Sequence, residues 1–204
     1  MKLILSSCDF LNEKSRKCIL NNIKKPLEEC KVLFIPNKKF CITDLNKYYK
    51  RLEVDGFLKK ENIYIFNENE VDKFKNLDLD LIYIGGGNTF FTINKIKKVK
   101  FDKEIIKYIK NGVIYIGGSC GAHIASSNIK HVLNFDTNDV NIKNFQGLNL
   151  FNGILILHYD KNREKIYQEL IKSSKYKVYR LTNDSTIVID DTKIKIYDNY
   201  IDSK

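Results

Sequence analysis

Short apolar runs recur along the first half of the chain and are separated by longer stretches that mix polar and apolar residues. Each run is of the length that is typical of a buried β-strand. Strands are predicted at residues 2–6, 31–35, 62–66, 79–84 and 113–116. These runs are mostly apolar and do not alternate strictly with polar residues, which favours a sheet that is covered on both faces.

Two of the stretches between these runs have the spacing of amphipathic helices. Residues 41–54 place four side chains on one helical face, namely Leu45, Tyr48, Tyr49 and Leu52. Asp102 is a predicted N-cap, and Gly112 a predicted stop, for a second helix that carries three isoleucines. Because short strands alternate with helices, the sequence predicts an α/β fold: a three-layer sandwich whose mostly parallel sheet has helices on both faces.

The pattern loosens in the second half of the chain. Residues 128–147 are polar and are expected to be rich in loops, whereas residues 153–157 are strand-like and residues 163–172 helical. The tail, from 176 to 200, contains three β-rich pieces (KVYRL, TIVID and KIKIY), separated by turns rich in Asn and Asp. These pieces predict a β-rich C-terminal tail that closes as a hairpin or meander.

The composition argues against several classes of protein. The 204 residues suffice for one domain with a sizeable core, and no linker divides them, so a single domain over 1–204 is expected. The net charge of +10 comes almost entirely from scattered lysines, which does not indicate specific nucleic-acid binding. No apolar run approaches the roughly 18 residues of a membrane span. The five cysteines have no metal-ligand spacing, so reduced thiols and a cytoplasmic location are expected.

The most informative segment is YIGGSCGAH at residues 115–123, which is predicted to form a strand, a sharp turn and a helix. Gly117, Ser119 and Gly121 fit the G-x-S-x-G nucleophile elbow. The residues two positions either side of the nucleophile must be small, because strand and helix approach closely there. The backbone N–H after the nucleophile then points toward a developing oxyanion.

The choice of nucleophile depends on the register of this turn. Centring it on Cys120 puts Ala122 where a glycine is preferred, whereas centring it on Ser119 gives a glycine on either side. Ser119 is therefore the favoured nucleophile, and Cys120 contributes its backbone N–H. A turn that serves only packing, or that holds a phosphate, is the alternative interpretation of the same pattern.

A glycine-rich turn, GGGNT at residues 85–89, follows a predicted strand directly. In a parallel sheet it lies at the same edge as the elbow, and its N–H groups could supply a second oxyanion donor. Gly86, Gly87 and Asn88 are thus candidate oxyanion or substrate-binding residues. The turn lacks both the ending of a P-loop and the spacing of a dinucleotide fingerprint.

His158 is the candidate general base among the three histidines. It follows the strand predicted at residues 153–157 and so emerges at the same edge of the sheet. His123 lies one turn into the helix after Ser119, too close in sequence to reach it. His131 falls in the polar region and is expected to be solvated.

Together these residues resemble the dipeptidase E (aspartyl dipeptidase) family of serine peptidases, which has the class I glutamine amidotransferase-like, flavodoxin-like fold. The segments MKLILSS, FIP, IYIGGGNTF, GGSCGA and FQGLNLFNGILILHY carry the resemblance, which covers most of the chain. It implies that Ser119 is the nucleophile, His158 the base, and Gly87 and Cys120 the oxyanion donors, with no metal or cofactor. It also implies small peptides with an N-terminal aspartyl residue as substrates, with the polymer cyanophycin as the substrate of a related branch.

The chain departs from the family pattern at two positions, one directly after the candidate nucleophile and one directly before the candidate base. Cys120 follows the serine where the family usually has alanine, which is a mild change. Leu157 precedes the histidine where the family usually has proline, which puts the presentation of His158 in doubt.

The family also places an aspartate between its serine and histidine, and the sequence leaves its identity open. Counting back without gaps from the segment that ends at His158 leads to Asp136. Matching the local Thr-Asn-Asp triplet leads to Asp139 instead. Asp160, two residues after His158, would mimic the His-x-Glu pair of glutamine amidotransferases. Asp136 is preferred, followed by Asp139 and then Asp160.

The sequence therefore predicts a serine-type peptidase that forms an acyl-enzyme on Ser119 and acts on a small peptide. One alternative is a non-catalytic protein of the same fold that binds a small ligand or has a regulatory role. Another is an amidotransferase-like hydrolase that depends on Cys120. Neither specific nucleic acid nor a membrane is an expected partner, and the sequence leaves a homodimer open.

Overall fold

The computed structural model describes residues 1–198 and contains nine β-strands in that range. They are β1 (Lys2–Ser6), β2 (Val32–Phe34), β3 (Ile63–Ile65), β4 (Leu81–Ile84), β5 (Ile114–Gly118), β6 (Ile154–Ile156), β7 (Val178–Arg180), β8 (Thr186–Asp190) and β9 (Lys193–Tyr197). Seven of them form one sheet in the order β3-β2-β4-β5-β1-β8-β9. The strands β1 to β5 are parallel, whereas β8 and β9 are antiparallel additions at one edge. The mostly parallel sheet is thus confirmed.

Helices cover both faces of this sheet. They are α1 (Glu13–Asn22), α2 (Leu45–Asp55), α3 (Thr89–Lys98), α4 (Asp102–Lys110), α5 (Cys120–Ala125) and α6 (Glu164–Ser173). Successive strand residues point to opposite faces, so Leu3 and Leu5 join one hydrophobic core and Ile4 joins the other. The first core contains side chains of α3, α4 and α5, and the second contains side chains of α1 and α2. This arrangement is the predicted three-layer sandwich.

Two helix starts differ from the sequence prediction. The helix α2 begins later than predicted, because Ile42–Asp44 forms a separate 3₁₀ turn. It ends at Asp55 and is capped by Gly56, whose φ of 113° lies in the left-handed region. Asp102 is the first residue of α4 and not its cap, since Phe101 occupies the cap position without a side-chain hydrogen bond. The Asp102 carboxylate still lies in the first turn, where it complements the helix dipole.

The tail forms the predicted hairpin in part. The strands β8 and β9 pair as an antiparallel hairpin, but β7 pairs in parallel with β6 in a separate two-stranded sheet. The ring of Tyr179 in β7 is buried against Phe151, 6.2 Å between centroids, which holds β7 beside β6. Of the two predicted alternatives, the tail thus forms the hairpin, from β8 and β9, and not a meander of all three pieces; residues 199–200 of the predicted tail lie outside the described residues. This pairing also brings together the chain segments that follow β6 and β7.

The candidate site residues follow strands that are neighbours in space. Ser6 of β1 is in register with Gly118 of β5, and Ile84 of β4 with Gly117. The residues that follow these strands therefore meet at one edge of the sheet, which is where ligands bind in open α/β sheets. None of the helices within residues 1–198 has both the length and the apolar character that a membrane crossing requires.

Replacing a leucine in this core tests the two-sided packing. Leu33→Ala on β2 removes a fully buried side chain and is expected to lower the free energy of unfolding by about 2–5 kcal/mol. Leu58→Ala, at a leucine that is 57% exposed, is the matched control and should change it by roughly 0.5 kcal/mol or less. Denaturant unfolding of both variants measures the difference, and equal effects would contradict the assigned core.

Candidate active site

Ser119 occupies a strained turn between β5 and α5. Its backbone has φ 45° and ψ −107°, a conformation that non-glycine residues rarely adopt. The flanking glycines make the turn sterically feasible. A Cβ on Gly117 would lie 2.8 Å from the carbonyl carbon of Gly121, and one on Gly121 would lie 1.9 Å from the carbonyl oxygen of Ile84. The small residues at both positions are thus required by the close approach of strand and helix.

The Ser119 side chain contacts the histidine that follows β6. Its Oγ lies 3.0 Å from Nε2 of His158, within hydrogen-bond distance. Both side chains are only partly buried, so the pair is open to a ligand at the edge of the sheet. The other two histidines form no hydrogen bond with the Ser119 side chain in the part of the chain that the structure describes.

Two further contacts fix His158. Its backbone has φ 49°, and its N–H donates to Oγ of Ser7, 2.9 Å away. Ser7 in turn donates to the carbonyl of Leu181, so the segments after β1, β6 and β7 are tied together. Nδ1 of His158 lies 2.7 Å from Oδ1 of Asn183, in the turn between β7 and β8. The tautomer that satisfies both ring contacts carries its proton on Nδ1 and leaves Nε2 to accept from the serine hydroxyl.

None of the three aspartates expected beside His158 forms a hydrogen bond with it among the described residues. Asp136 instead accepts from the backbone N–H of Thr89 at 2.7 Å, at the start of α3. Asp139 accepts from the hydroxyl of Thr137, and Asp160 caps the 3₁₀ turn Lys161–Arg163. The expected aspartate contact is corrected to Asn183, because the start of α3 attracts the Asp136 carboxylate.

Sequence reasoning did not identify Asn183 as a site residue. The residue belongs to an Asn-Asp turn that the sequence marks only as a boundary between two β-rich pieces. Its position after a strand that ends at the same edge of the sheet was the available signal. That signal depends on β7 pairing with β6, which the sequence pattern does not predict.

The glycine turn of residues 85–87 lies directly beside Ser119. A Cβ on Gly86 would be 3.6 Å from Cβ of Ser119. Gly87 has φ 143°, and a Cβ there would lie 2.0 Å from Nδ2 of Asn37, which also donates to the carbonyl of Gly86. Asn37, which the sequence interpretation did not include, therefore holds this turn from the loop after β2. The glycines allow the backbone to pass between Ser119 and Asn37.

The predicted oxyanion residues Asn88, Gly87 and Cys120 differ in whether their hydrogen-bonding groups already have a protein partner. The side chain of Asn88 is occupied, because its Oδ1 caps α3 through the N–H of Phe91 and its Nδ2 donates to the carbonyl of Thr137. Within residues 1–198, no protein acceptor takes the backbone N–H of Gly87 or of Cys120. These two backbone N–H groups, one in the glycine turn beside Ser119 and one directly after Ser119, are therefore available to a ligand.

Comparison with known proteins finds a family model that spans this site. A model of Peptidase family S51 matches residues 3–197, which is nearly the whole chain. The chain belongs to peptidase family S51. Curated relatives include an uncharacterized peptidase of Listeria monocytogenes, 36% identical over 115 residues, which are 54% of this chain and 56% of the relative. A second is Peptidase E of Nostoc, 29% identical over 65% of this chain and 57% of the relative. The chain thus spans a little over half the length of these relatives.

Solved structures support the fold of this S51 chain. A crystal structure of a candidate peptidase E from Listeria monocytogenes EGD-e covers 97% of this chain and 98% of its own, with a TM-score of 0.74 and 25% identity. A peptidase from an acI-B1 Actinobacterium covers 97% of this chain and 87% of its own, with a TM-score of 0.56 and 15% identity. The second shows the fold alone.

Cys120 is placed poorly for nucleophilic chemistry in this S51 chain. Its side chain is fully buried, and its Sγ contacts the carbonyl of Asn88 at 3.6 Å. Burial raises the pKa of the thiol to about 12, so the reactive thiolate is scarce near neutral pH. His123 is also fully buried, and burial holds its pKa well below the usual histidine value. His131 was expected to be solvated, but it is buried. The carbonyl of Leu155 gives its Nε2 a hydrogen-bond partner there.

Differential alkylation tests the environment of Cys120. Cys41 is exposed, and a hydrogen bond from Thr43 lowers the pKa of its thiol, so more of it is thiolate at a given pH. Iodoacetamide near neutral pH is therefore expected to alkylate Cys41 first, and Cys120 only after unfolding. Peptide mass spectrometry over a time course measures both rates. Equal rates in the folded protein would contradict the burial of Cys120.

Proposed function

We propose that this chain is a serine peptidase in which Ser119 is the nucleophile and His158 the general base. The contact of 3.0 Å between Oγ and Nε2, made from a strained strand-to-helix turn, carries the proposal. In the first step, Oγ of Ser119 attacks the carbonyl carbon of the scissile peptide bond while Nε2 of His158 takes the hydroxyl proton. Asn183 accepts the Nδ1–H hydrogen bond and so keeps the imidazole in the required tautomer.

The tetrahedral intermediate carries its negative charge on the former carbonyl oxygen. The backbone N–H groups of Cys120 and Gly87 are the donors proposed to stabilise it, since they need no reorganisation during the reaction. Collapse of the intermediate breaks the C–N bond, and His158 returns the proton to the departing amine. Water then attacks the acyl-enzyme with His158 again as base, which releases the acid product and restores Ser119.

The proposed substrates are small peptides, in particular dipeptides with an N-terminal aspartyl residue. The support is the resemblance to dipeptidase E and the relatives that bear the name Peptidase E. An acidic side chain needs a cation near the scissile bond. Arg163 is the cation proposed for this role; it donates at 2.6 Å to the carbonyl of Leu157, the residue before His158. Its guanidinium lies 4.1 Å from the centroid of the Phe135 ring, which limits its rotation.

A fluorophosphonate probe tests the nucleophile directly, because it reacts with activated serine hydroxyls. The wild-type protein is expected to be labelled at Ser119, and Ser119→Ala to lose that label. Ser173→Ala, at an exposed serine of α6, is the matched control and should label like wild type. Ser119→Ala and His158→Ala are each expected to lower kcat on a cleaved dipeptide by roughly 10⁴-fold or more, and the two losses should not add.

The outcomes of this experiment separate the competing functions. A wild-type protein that is not labelled but binds small ligands would favour the non-catalytic alternative. Labelling and turnover that survive Ser119→Ala but disappear in Cys120→Ala would favour the cysteine-dependent hydrolase. The burial of the Cys120 thiol makes us expect full labelling of Cys120→Ala.

Variants of Asn183 and Asp136 test which residue orients His158. Asn183→Ala is expected to lower kcat by about 100-fold, since the imidazole loses the acceptor for its Nδ1–H. Asp136→Ala should reduce kcat less and mainly lower the free energy of unfolding, by about 1 kcal/mol, because a helix-end contact is lost. Steady-state kinetics and denaturant unfolding measure the two effects, and the reverse order would return the role to Asp136.

The Asn183→Asp variant adds a pH readout to this comparison. A carboxylate beside Nδ1 stabilises the protonated imidazole, which is inactive as a base, so protonation persists to higher pH. The acid limb of the profile of kcat/KM against pH is therefore expected to move to higher pH in Asn183→Asp. Asp136→Asn, the matched control, should leave the acid limb in place. An unchanged limb in Asn183→Asp would contradict the contact between Asn183 and His158.

A further inference from the structure

A pocket of about 360 Å³ adjoins the Ser119 turn and is not used by the proposed mechanism. Gly85 and Gly86 belong to its lining, and Gly86 is also the glycine that faces Ser119. The rings of Phe34, Tyr48 and Tyr83 line it as well, together with Asp9 and Arg51. A group bound to the carbonyl that Ser119 attacks would therefore have a partly open pocket of mixed polarity next to it.

Asp9 is held in this pocket by a strained backbone. It has φ 43°, although it is not glycine, and it is only 3% exposed. A Cβ on Gly118 would lie 2.2 Å from its Oδ2, and one on Gly85 would lie 3.3 Å from the same atom. The carboxylate thus lies against the residue that immediately precedes Ser119. The glycine at position 118 makes room for it.

The charges around Asp9 do not balance within the pocket. Nη2 of Arg51 lies 3.1 Å from Oδ1 of Asp9, and its Nε lies 2.9 Å from Oδ2 of Asp55. One guanidinium therefore faces two buried carboxylates. Burial raises the pKa of both acids, and Arg51 opposes that shift by stabilising their ionised forms. When both are ionised, the cluster carries one excess negative charge, which a positively charged ligand would neutralise.

A polar group without a hydrogen-bond partner also lines this pocket. The hydroxyl of Tyr48 is buried and has no hydrogen-bond partner in the described part of the chain. Buried polar atoms are usually paired, and this hydroxyl, in the lining of an open pocket, is available to bind a ligand atom. The pocket therefore offers a carboxylate with excess negative charge beside Gly118 and, elsewhere in its lining, a hydroxyl without a partner among the described residues.

We propose that Asp9 receives the α-ammonium group of the N-terminal residue of the substrate, so that the enzyme requires a peptide with a free amino terminus. The inference rests on the proposed peptidase function. In such a peptide the amino nitrogen is two bonds from the carbonyl carbon that Ser119 attacks, so its binding group must lie beside the nucleophile. Asp9 meets that requirement through its contact with Gly118. Arg51 positions Asp9 and remains bound to Asp55.

A matched pair of substrates tests the role of Asp9 without any mutation. Aspartyl p-nitroanilide has the α-ammonium group, and succinyl p-nitroanilide is the same molecule without it. The wild-type enzyme is expected to hydrolyse the first with a kcat/KM roughly 100-fold higher. Equal values for the two substrates would overturn the inference.

Two isosteric variants then test whether Asp9 causes the preference for the substrate with the α-ammonium group. Asp9→Asn is expected to lower kcat/KM for the aspartyl substrate by roughly 10- to 100-fold, through KM, and to leave the succinyl substrate unchanged. Asp55→Asn is the matched control, because it removes a carboxylate from the same Arg51 but not the one beside Gly118. It should keep the wild-type preference for the amine. Equal losses for both substrates in Asp9→Asn would mean that Asp9 acts only on the fold, which overturns the inference.

Protection from labelling provides a readout that does not depend on turnover. Aspartic acid α-amide is expected to slow the fluorophosphonate labelling of Ser119 more than succinamic acid does, and Asp9→Asn should remove that difference. Equal protection of the wild type by the two compounds overturns this inference while labelling itself still supports the proposed function. The absence of any Ser119-dependent labelling overturns the proposed function and this inference with it.

Discussion

The close approach of α5 to the ends of β4 and β5 is the constraint on which the site depends. The backbone of Gly121 passes so near the Ile84 carbonyl that a Cβ would lie 1.9 Å from its oxygen. Its N–H also donates to the carbonyl of Gly85 at 3.3 Å. With strand and helix held at this separation, the connecting residue has to adopt a positive φ, which projects the side chain of Ser119 from the edge of the sheet. The glycine turn, His158 and the pocket of Asp9 are arranged around that side chain.

Local sequence patterns predicted the features that local backbone geometry controls. The alternation of strands and helices gave the three-layer architecture, because each element must bury its own apolar face. The elbow was recognisable because Gly117 and Gly121 are needed within a few residues of Ser119. His158 could be chosen over His123 and His131 because it follows a strand, and strand ends meet at one edge of a parallel sheet.

Contacts between distant segments could not be predicted in this way. The partner of the imidazole is 25 residues away in sequence, and it reaches the ring only because β7 pairs with β6. The sequence instead indicated Asp136 by counting from the histidine, but that carboxylate binds the start of α3. Asp9 gave no signal, since its role depends on Arg51 across 42 residues and on a backbone conformation that no local pattern marks.

Three of the residues with a strained backbone follow strands at the edge of the sheet where the site lies. Asp9, Ser119 and His158 all have a positive φ, and conformations of this kind cost on the order of 1–3 kcal/mol each. The buried parallel strands supply the stability that offsets this cost, so the strain persists only where several contacts hold it. The Ser119 turn is held by backbone packing and cannot change without moving α5. Asn183 lies in the turn between β7 and β8, and Asp9 is held by Arg51 of α2, so neither side chain is part of the packing that fixes the Ser119 turn. Substitution of either side chain would therefore change the group that orients His158, or the proposed amine-binding group, and leave the Ser119 turn in place.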